Sequence, residues 1–265
     1  MLKPLICASV NDYEYVYKDY DVNFYVGDGV MLEIPNIIED LSKVDVSGGK
    51  IKMVHAITPA NPSEYYIANE KYFPFLKSLG RVGLTVHYNE PSTLVADNLL
   101  FNEILKIHFE LPDVVFYIEN TKNCNYGLFN MVKSLRDLNI EAWILFDTCH
   151  LEMESHFTSI DLTYDYSINY KKLFDTFKEY IGAFHISASI GADGYTRSTH
   201  GKPLQTVEDE QFFKKLCGEI ASVDFNHDVY VIPEVLEDSY DEKSKRKNGI
   251  KAYNILLEVV NGKCA

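Results

Sequence analysis

Short apolar runs rich in β-branched residues alternate along the chain with longer runs of helical periodicity. Most of the short runs are apolar throughout, which is typical of parallel strands buried on both faces by covering helices. The predicted strands are residues 5–10, 29–34, 51–56, 82–87, 114–120, 142–148, 183–189 and 229–235.

Between these strands, apolar side chains recur at spacings of three and four residues, the pattern of an amphipathic helix. One such stripe is Leu128, Met131, Val132, Leu135 and Leu138, and another is Leu173, Phe174, Phe177 and Ile181. Further helices are predicted over residues 208–221, which begin with acids suited to a helix N-terminus, and over residues 248–260.

Eight β–α units in 265 residues match the usual size of a (β/α)₈ TIM barrel. We therefore predict an α/β fold with a single TIM-barrel domain over residues 1–265. The alternative is an open doubly wound sheet, which usually has a glycine-rich turn after its first strand. Here that segment reads "ASVNDYEY" and contains no glycine.

Composition limits the cellular location and the binding partners that we expect. The chain is 46% hydrophobic and 24% charged, and no apolar run approaches the ~20 residues of a membrane helix. Five irregularly spaced cysteines without a CxxC pair favour a reduced, cytoplasmic location, with no membrane and no obligatory protein partner inferred. The net charge of −14 disfavours nucleic acid as a partner, although bound divalent cations can reverse the field locally.

The predicted strands from the third onward end in side chains that bind metals, and in a barrel such ends converge on one face. The residues are His55, His87, Glu119, Asp147 with His150, His185 and Glu234, and His200 follows in the loop after strand seven. By contrast, His108, His156 and His227 fall in predicted helices or loops, where an ordinary surface role is expected.

Each of these side chains alone has an ordinary structural explanation. Asp147 would cap the helix after its strand, and His150 would pack. Burying Glu119, Asp147 and Glu234 together, however, would cost several kcal/mol per ion without compensating charge. Divalent cations supply that charge, and histidine with carboxylate suits Zn²⁺, Mn²⁺ or Fe²⁺ rather than Ca²⁺.

Seven short motifs resemble those of the xylose-isomerase-like TIM-barrel superfamily, which includes endonuclease IV and many sugar isomerases and epimerases. They are "VHA", "TVHYNE", "YIENT", "FDTCH", "FHIS", "THG" and "IPEV". The resemblance covers nearly the whole chain from the third strand onward.

The resemblance implies a different ligand set for each branch of the superfamily. In the one-metal isomerases and epimerases the ligands would be Glu119, Asp147, His185 and Glu234. In endonuclease IV, which holds three zinc ions, the first ion would be bound by His55, His87 and Glu119, the second by the one-metal set, and the third by His150 and His200. The ligand set is closest to endonuclease IV, so we expect two or three divalent cations, with Zn²⁺ favoured.

The chain departs from endonuclease IV in three places. Ser198 stands where that family has an Asp before its loop histidine, "KNCNYG" replaces a glycine-rich segment, and "AITPANP" lacks the aromatic that enters DNA. The segment "STHGKPL" also resembles a loop of multinuclear iron enzymes that modify peptide cysteines, but those carry Asn at the position of His150.

The resemblance implies two possible enzyme mechanisms. A non-catalytic barrel is a third possibility. As a hydrolase of a phosphate ester, either abasic DNA or a small sugar phosphate, the chain would use Glu119 and Glu234 catalytically and Arg197 and Lys202 to contact phosphate. As a sugar isomerase or epimerase, it would use Glu119 and Glu234 as a proton-transfer pair around one ion. The imidazoles on strands three and four favour the multinuclear hydrolase. A barrel used only for binding is disfavoured, because nothing would keep so many polar groups aligned.

Overall fold

The computed structural model describes residues 1–8, 19–26, 41–88, 94–120, 126–148, 150, 163–164, 167–168, 170–187, 204, 206–235 and 247–262. Within them, nine strands form one sheet and two short strands, β8 (Thr163–Tyr164) and β9 (Ser167–Ile168), form an antiparallel pair. The nine are β1 (Leu2–Pro4), β2 (Ile6–Ala8), β3 (Val22–Tyr25), β4 (Ile51–His55), β5 (Gly83–Tyr88), β6 (Val115–Asn120), β7 (Ala142–Asp147), β10 (Ile181–Ile186) and β11 (Val229–Pro233).

The strand order is β1-β11-β10-β7-β6-β5-β4-β3-β2. Four pairings, β1 with β11, β10 with β11, β3 with β4 and β4 with β5, are parallel. The two ends of this order, β1 and β2, are separated along the chain only by Leu5. A sheet that begins and ends in one short segment has the strand order of an α/β barrel, as the sequence predicts.

Helices lie between strands along the chain, because consecutive parallel strands need a long crossover connection. The α-helices are α1 (Tyr65–Asn69), α2 (Phe73–Leu79), α3 (Leu94–Glu110), α4 (Tyr126–Asp137), α5 (Tyr170–Phe177), α6 (Val207–Ala221) and α7 (Lys247–Val260). Short 3₁₀ helices span Leu41–Lys43, Pro62–Glu64 and Glu70–Tyr72.

Side-chain capping explains where α6 begins, and a left-handed residue explains where α4 ends. At the start of α6, Thr206 Oγ1 accepts from Asp209 N and the Asp209 carboxylate accepts from Thr206 N, so two otherwise unpaired donors are satisfied. After α4, Asn139 adopts a left-handed φ of 61°, a conformation that asparagine tolerates better than most residues. Leu138 is 54% exposed there, so its predicted place on the buried stripe is wrong.

Two other differences from the sequence prediction concern one element boundary and one strand. Ile181 was expected on the stripe of α5 but is the first residue of β10, because the helix ends at Phe177. β4 pairs with β5 and with Val22–Tyr25, and the second of these strands was not predicted by the sequence pattern. The predicted strand over residues 29–34 and the end of the first predicted strand, residues 9–10, lie outside the described residues.

The chain divides into two units by its internal contacts. The first unit comprises Met1–Ile6, Asn120–Asn125 and Leu145–Ala265, and the second comprises Cys7–Glu119 and Tyr126–Ile144. The predicted single domain over residues 1–265 stays a prediction.

Each unit has its own packed interior. In the first unit the ring of Phe184 lies 4.7 Å from that of Phe174, edge to face, and 6.3 Å from that of Phe146. In the second unit Phe24 packs 5.4 Å from Phe75. Such aromatic contacts add to the stabilisation from buried apolar area.

Within the described part of the chain, the helices are too short or too polar to cross a membrane.

Gly83 tests the packing of the second unit. A Cβ placed on Gly83 would lie 2.7 Å from Cε2 of the buried Tyr117 ring. We expect Gly83→Ala to lower the free energy of unfolding by about 1–3 kcal/mol, as overpacking does. The matched control is Gly218→Ala in α6, where a Cβ meets nothing within 4 Å and helix propensity predicts a gain of about 1 kcal/mol. Urea denaturation measures both, and equal stability of the two variants would contradict the packing account.

Candidate metal centre

The side chains with metal-binding chemistry stand at or next to the C-terminal ends of strands. His55 is the last residue of β4, and His87 and Glu119 are next to last in β5 and β6. In the other unit, Asp147 ends β7 and His185 is next to last in β10. Glu234 directly follows β11, and its N–H donates to Ile186 O at 2.8 Å.

The second unit brings together His55, His87 and Glu119, which we name the β4–β6 triad. Three atoms form a nearly equilateral triangle: His55 Nε2 lies 3.2 Å and His87 Nε2 2.9 Å from Glu119 Oε2, and the two nitrogens are 3.0 Å apart. Bonds of 2.0–2.1 Å in a tetrahedral zinc site give ligand–ligand edges of ~3.3 Å. The triangle therefore has about the size of one face of such a tetrahedron.

The tautomer of His55 suits a metal ligand. Its Nδ1 lies 3.0 Å from Ala56 O, and because a carbonyl oxygen can only accept, Nδ1 carries the proton. Its Nε2 faces Glu119 Oε2 at 3.2 Å and His87 Nε2 at 3.0 Å, so this is the nitrogen that a cation would engage. Donation of the far N–H to a backbone carbonyl is the usual way in which proteins fix a ligating imidazole.

An aromatic side chain fixes the plane of the same imidazole. The Tyr25 ring stacks on the His55 ring with centroids 4.8 Å apart and planes 16° from parallel. Tyr25 and His55 are register partners on β3 and β4, so strand pairing brings the two rings together. The Tyr25 hydroxyl also lies 3.9 Å from Cys7 Sγ on β2.

The first unit brings together Asp147, His185 and Glu234, which we name the β7–β11 triad. One possible ligand atom of each lies within 4.8 Å of those of the others, and His185 Nδ1 is 3.5 Å from Glu234 Oε1. Asp147 and His185 are fully buried. Burial raises the pKa of Glu234 to about 8, so a nearby cation would be needed to hold this group as a carboxylate at neutral pH.

His150 contacts the β7–β11 triad through Asp147. Its Nε2 lies 3.4 Å from Asp147 Oδ2, and its backbone N–H donates to Asp147 Oδ1 at 3.2 Å. The second contact has the i to i+3 spacing of a helix cap. Asp147 thus has both roles that the sequence left open, a cap and a possible ligand.

Asn120 holds the backbone of Asp147 in place. Its Oδ1 accepts from Asp147 N at 2.8 Å, and its Nδ2 donates to Asp147 O at 3.1 Å. The Asn120 side-chain amide thus makes the two hydrogen bonds that the backbone of a paired strand would otherwise make with Asp147. It therefore fixes the direction of the Asp147 side chain.

The two triads have the donor chemistry of a metal centre. Buried imidazoles and carboxylates of this kind could hold a metal ion. Glu119 is 1% exposed and Asp147 is fully buried, and burying carboxylates costs several kcal/mol each unless positive charge compensates. Three predicted site residues, His200, Arg197 and Lys202, lie outside the described residues, as does Ser198.

Three residues next to the β4–β6 triad were missed by sequence reasoning: Tyr25, Tyr65 and Asn69. The fully buried Tyr65 hydroxyl accepts from His87 N at 2.9 Å and lies 3.2 Å from His87 O and 3.4 Å from Thr58 Oγ1. Burial raises the pKa of Tyr65 above its usual range, so the hydroxyl keeps its proton. Tyr25 lies in a strand that the sequence pattern did not predict, and Tyr65 and Asn69 lie outside the predicted helices.

A comparison with solved structures establishes the fold. The chain is similar to a xylose isomerase domain-containing protein from Salmonella typhimurium LT2, with a TM-score of 0.57 and 12% sequence identity, over 97% of this chain and 96% of that chain. With the strand order above, this likeness shows a xylose-isomerase-like TIM barrel, as the sequence motifs predicted. No family model and no curated protein matches the chain.

Metal content tests the β4–β6 triad. After saturation with Zn²⁺ and removal of excess, we expect His55→Ala and His87→Ala each to lower the bound zinc by one ion per chain, because each removes one vertex of the triangle. Elemental analysis measures the content. His108→Ala, on α3, is the control and should bind as the wild type does. Unchanged zinc in both triad variants would contradict a cation at this position.

The raised pKa of Glu234 predicts how stability depends on pH without metal. An unfolded glutamate ionises near its ordinary pKa of 4.5, whereas folded Glu234 ionises near 8, so the folded state holds the extra proton between these values. Stability of the metal-free chain should therefore fall as pH rises from 5 to 8, by up to about 1.4 kcal/mol per pH unit.

Glu234→Gln should lack this component, because its amide stays neutral across the range. Urea denaturation of both chains in EDTA at pH 5, 6.5 and 8 measures the difference. Parallel pH profiles for the two chains would rule out the assignment to Glu234.

Proposed function

We propose that the chain is a divalent-metal-dependent enzyme that hydrolyses a phosphate ester, with a multinuclear site at the C-terminal strand ends. The observation that supports this most is the β4–β6 triad. Its two imidazoles and a buried carboxylate form a complete three-donor face that adds His55 and His87 to the donors of the one-metal set. A one-metal isomerase needs no such additional donor set.

The donors divide by unit. His55, His87 and Glu119 would hold one cation, and Asp147, His185 and Glu234 would hold another, with His150 beside Asp147. Sharing of Glu119 between ions, and a third ion at His150 and His200, stay predictions from the resemblance. The donor types favour Zn²⁺, with Mn²⁺ or Fe²⁺ also suited.

Bound divalent cations would supply Lewis acidity, which lowers the pKa of water toward neutrality and offsets charge on phosphoryl oxygens. The protein's own groups do the rest. Glu234 would orient the attacking water and accept its proton. Tyr25 and the Ala56 carbonyl keep His55 in one orientation. Arg197 and Lys202 are proposed to bind the phosphate.

The alternative is a sugar isomerase or epimerase that uses one ion and the pair Glu119 and Glu234. Two observations favour it: the net charge of −14 and the lack, in "AITPANP", of the aromatic that enters DNA in endonuclease IV. In this case His55 and His87 would bind sugar hydroxyls rather than a cation.

Activity with a simple phosphodiester separates these functions. We expect the Zn²⁺-loaded chain to hydrolyse bis(4-nitrophenyl) phosphate, and His87→Ala and Glu234→Gln each to lower kcat/KM by about 10²–10³-fold, the usual loss when a transition-state contact is removed. Release of 4-nitrophenolate gives the rate, and His108→Ala is the control.

Deuterium exchange tests the alternative with the same samples. Incorporation of deuterium from D₂O into the carbon-bound positions of ketose phosphates, without phosphodiester hydrolysis and with full activity in His87→Ala, would overturn the hydrolase. Nicking of an abasic duplex tests DNA as the particular phosphate ester.

A further inference from the structure

Helix α1 carries none of the candidate ligands, yet its first and last residues grip the backbone beside both histidines of the β4–β6 triad. Tyr65 is fully buried and Asn69 is 1% exposed. The two are four positions apart and therefore lie on one face of the helix. A buried hydroxyl and a buried amide are costly unless hydrogen-bonded, so the partners of these groups explain why they are there.

Tyr65 holds the main chain of His87. The hydroxyl accepts from His87 N at 2.9 Å and donates to His87 O at 3.2 Å. One oxygen thus satisfies both backbone groups of a candidate ligand residue near the end of β5. This contact fixes the Cα–Cβ direction of His87, whose Nε2 lies 2.9 Å from Glu119 Oε2.

Asn69 holds the peptide group that orients His55. Its Oδ1 accepts from Ile57 N at 2.8 Å. The carbonyl of that same peptide group, Ala56 O, accepts from His55 Nδ1 at 3.0 Å. The Asn69 amide nitrogen also donates to Ile57 O at 2.9 Å and to Tyr65 O at 3.0 Å, which links the two grips.

A buried acid anchors the start of this helix to α3. Glu103, 4% exposed, accepts from Tyr66 N at 2.9 Å and pairs with Lys106. The helix is thereby held from behind while its other face holds the strand ends. A buried network with its bonds made in this way rigidifies its surroundings and specifies one geometry.

We propose that Tyr65 and Asn69 are positioning residues for a cation at the β4–β6 triad, Tyr65 through the backbone of His87 and Asn69 through the tautomer of His55. This inference rests on the proposed metal-dependent function. Loss of an outer partner of a ligand typically lowers metal affinity by about 10–100-fold. We expect that loss in Tyr65→Phe and Asn69→Leu, with the fold kept.

The matched control is Tyr72→Phe. It removes the same oxygen from a ring that is 3% exposed in the same segment of the chain and that contacts Lys71. Competition titration of the full-length chain with Zn²⁺ against a chromophoric chelator gives the affinities, and thermal unfolding gives the stabilities. A merely structural role for Tyr65 would change stability and leave Zn²⁺ affinity at the level of Tyr72→Phe.

A second readout needs no metal. In the metal-free chain, the ring ¹⁵N and ¹³C shifts of His55 should report a proton on Nδ1 in the wild type and partial loss of that proton in Asn69→Leu. An Nε2–H tautomer of His55 in the wild type would overturn the role of Asn69. Because the decisive result comes from the wild type, this test of Asn69 holds even if Asn69→Leu weakens folding.

These measurements distinguish failure of the proposed metal site from failure of the positioning role of Tyr65 and Asn69. If His87→Ala removes no zinc from the chain, the metal site fails and the positioning role with it. If His87→Ala removes an ion but Tyr65→Phe and Asn69→Leu bind Zn²⁺ as tightly as Tyr72→Phe, the metal site stands and the positioning role is wrong.

Discussion

One electrostatic constraint governs the candidate centre: the Glu119 carboxylate, 1% exposed, faces two imidazole nitrogens at about the distance of hydrogen-bond partners. In such a setting a carboxylate needs a proton or a cation close by, since the cost of leaving it bare is several kcal/mol. His55 has placed its own proton on the far nitrogen, toward Ala56 O. The arrangement therefore leaves His55 Nε2 as the nitrogen that faces Glu119, where a cation could be bound.

Side chains complete the backbone hydrogen bonding at the strand ends. Where a strand stops, its N–H and C=O groups lose ladder partners, and buried groups of this kind must be paired. Tyr65 pairs both groups of His87, Asn69 pairs both groups of Ile57, and Asn120 pairs both groups of Asp147. In each case the residue gripped is a candidate ligand or lies two positions beyond one. The hydrogen bonds that pair the backbone groups at the strand ends thus also set the directions of the candidate ligand side chains.

The fold and the function rest on different observations. A likeness at 12% identity establishes the barrel, and barrels of one type carry many chemistries, so the site must decide. Asp147, His185 and Glu234 suit either an isomerase or a hydrolase. Our proposal of a hydrolase depends on the imidazoles at the ends of β4 and β5, which provide further donors around Glu119.

The sequence by itself determined the barrel class, the positions of most strands and the polar residues at their ends, because an apolar run that stops at His55 or Asp147 is a local pattern. It missed β3, since the buried Asn23 interrupts the apolar run of Val22–Tyr25. It also misplaced Leu138 and Ile181, since periodicity continues past a helix end. Only tertiary structure showed the contacts of Tyr65 and Asn69. Their side chains bond to backbone 22 and 12 positions away, and backbone groups carry no signature in a sequence.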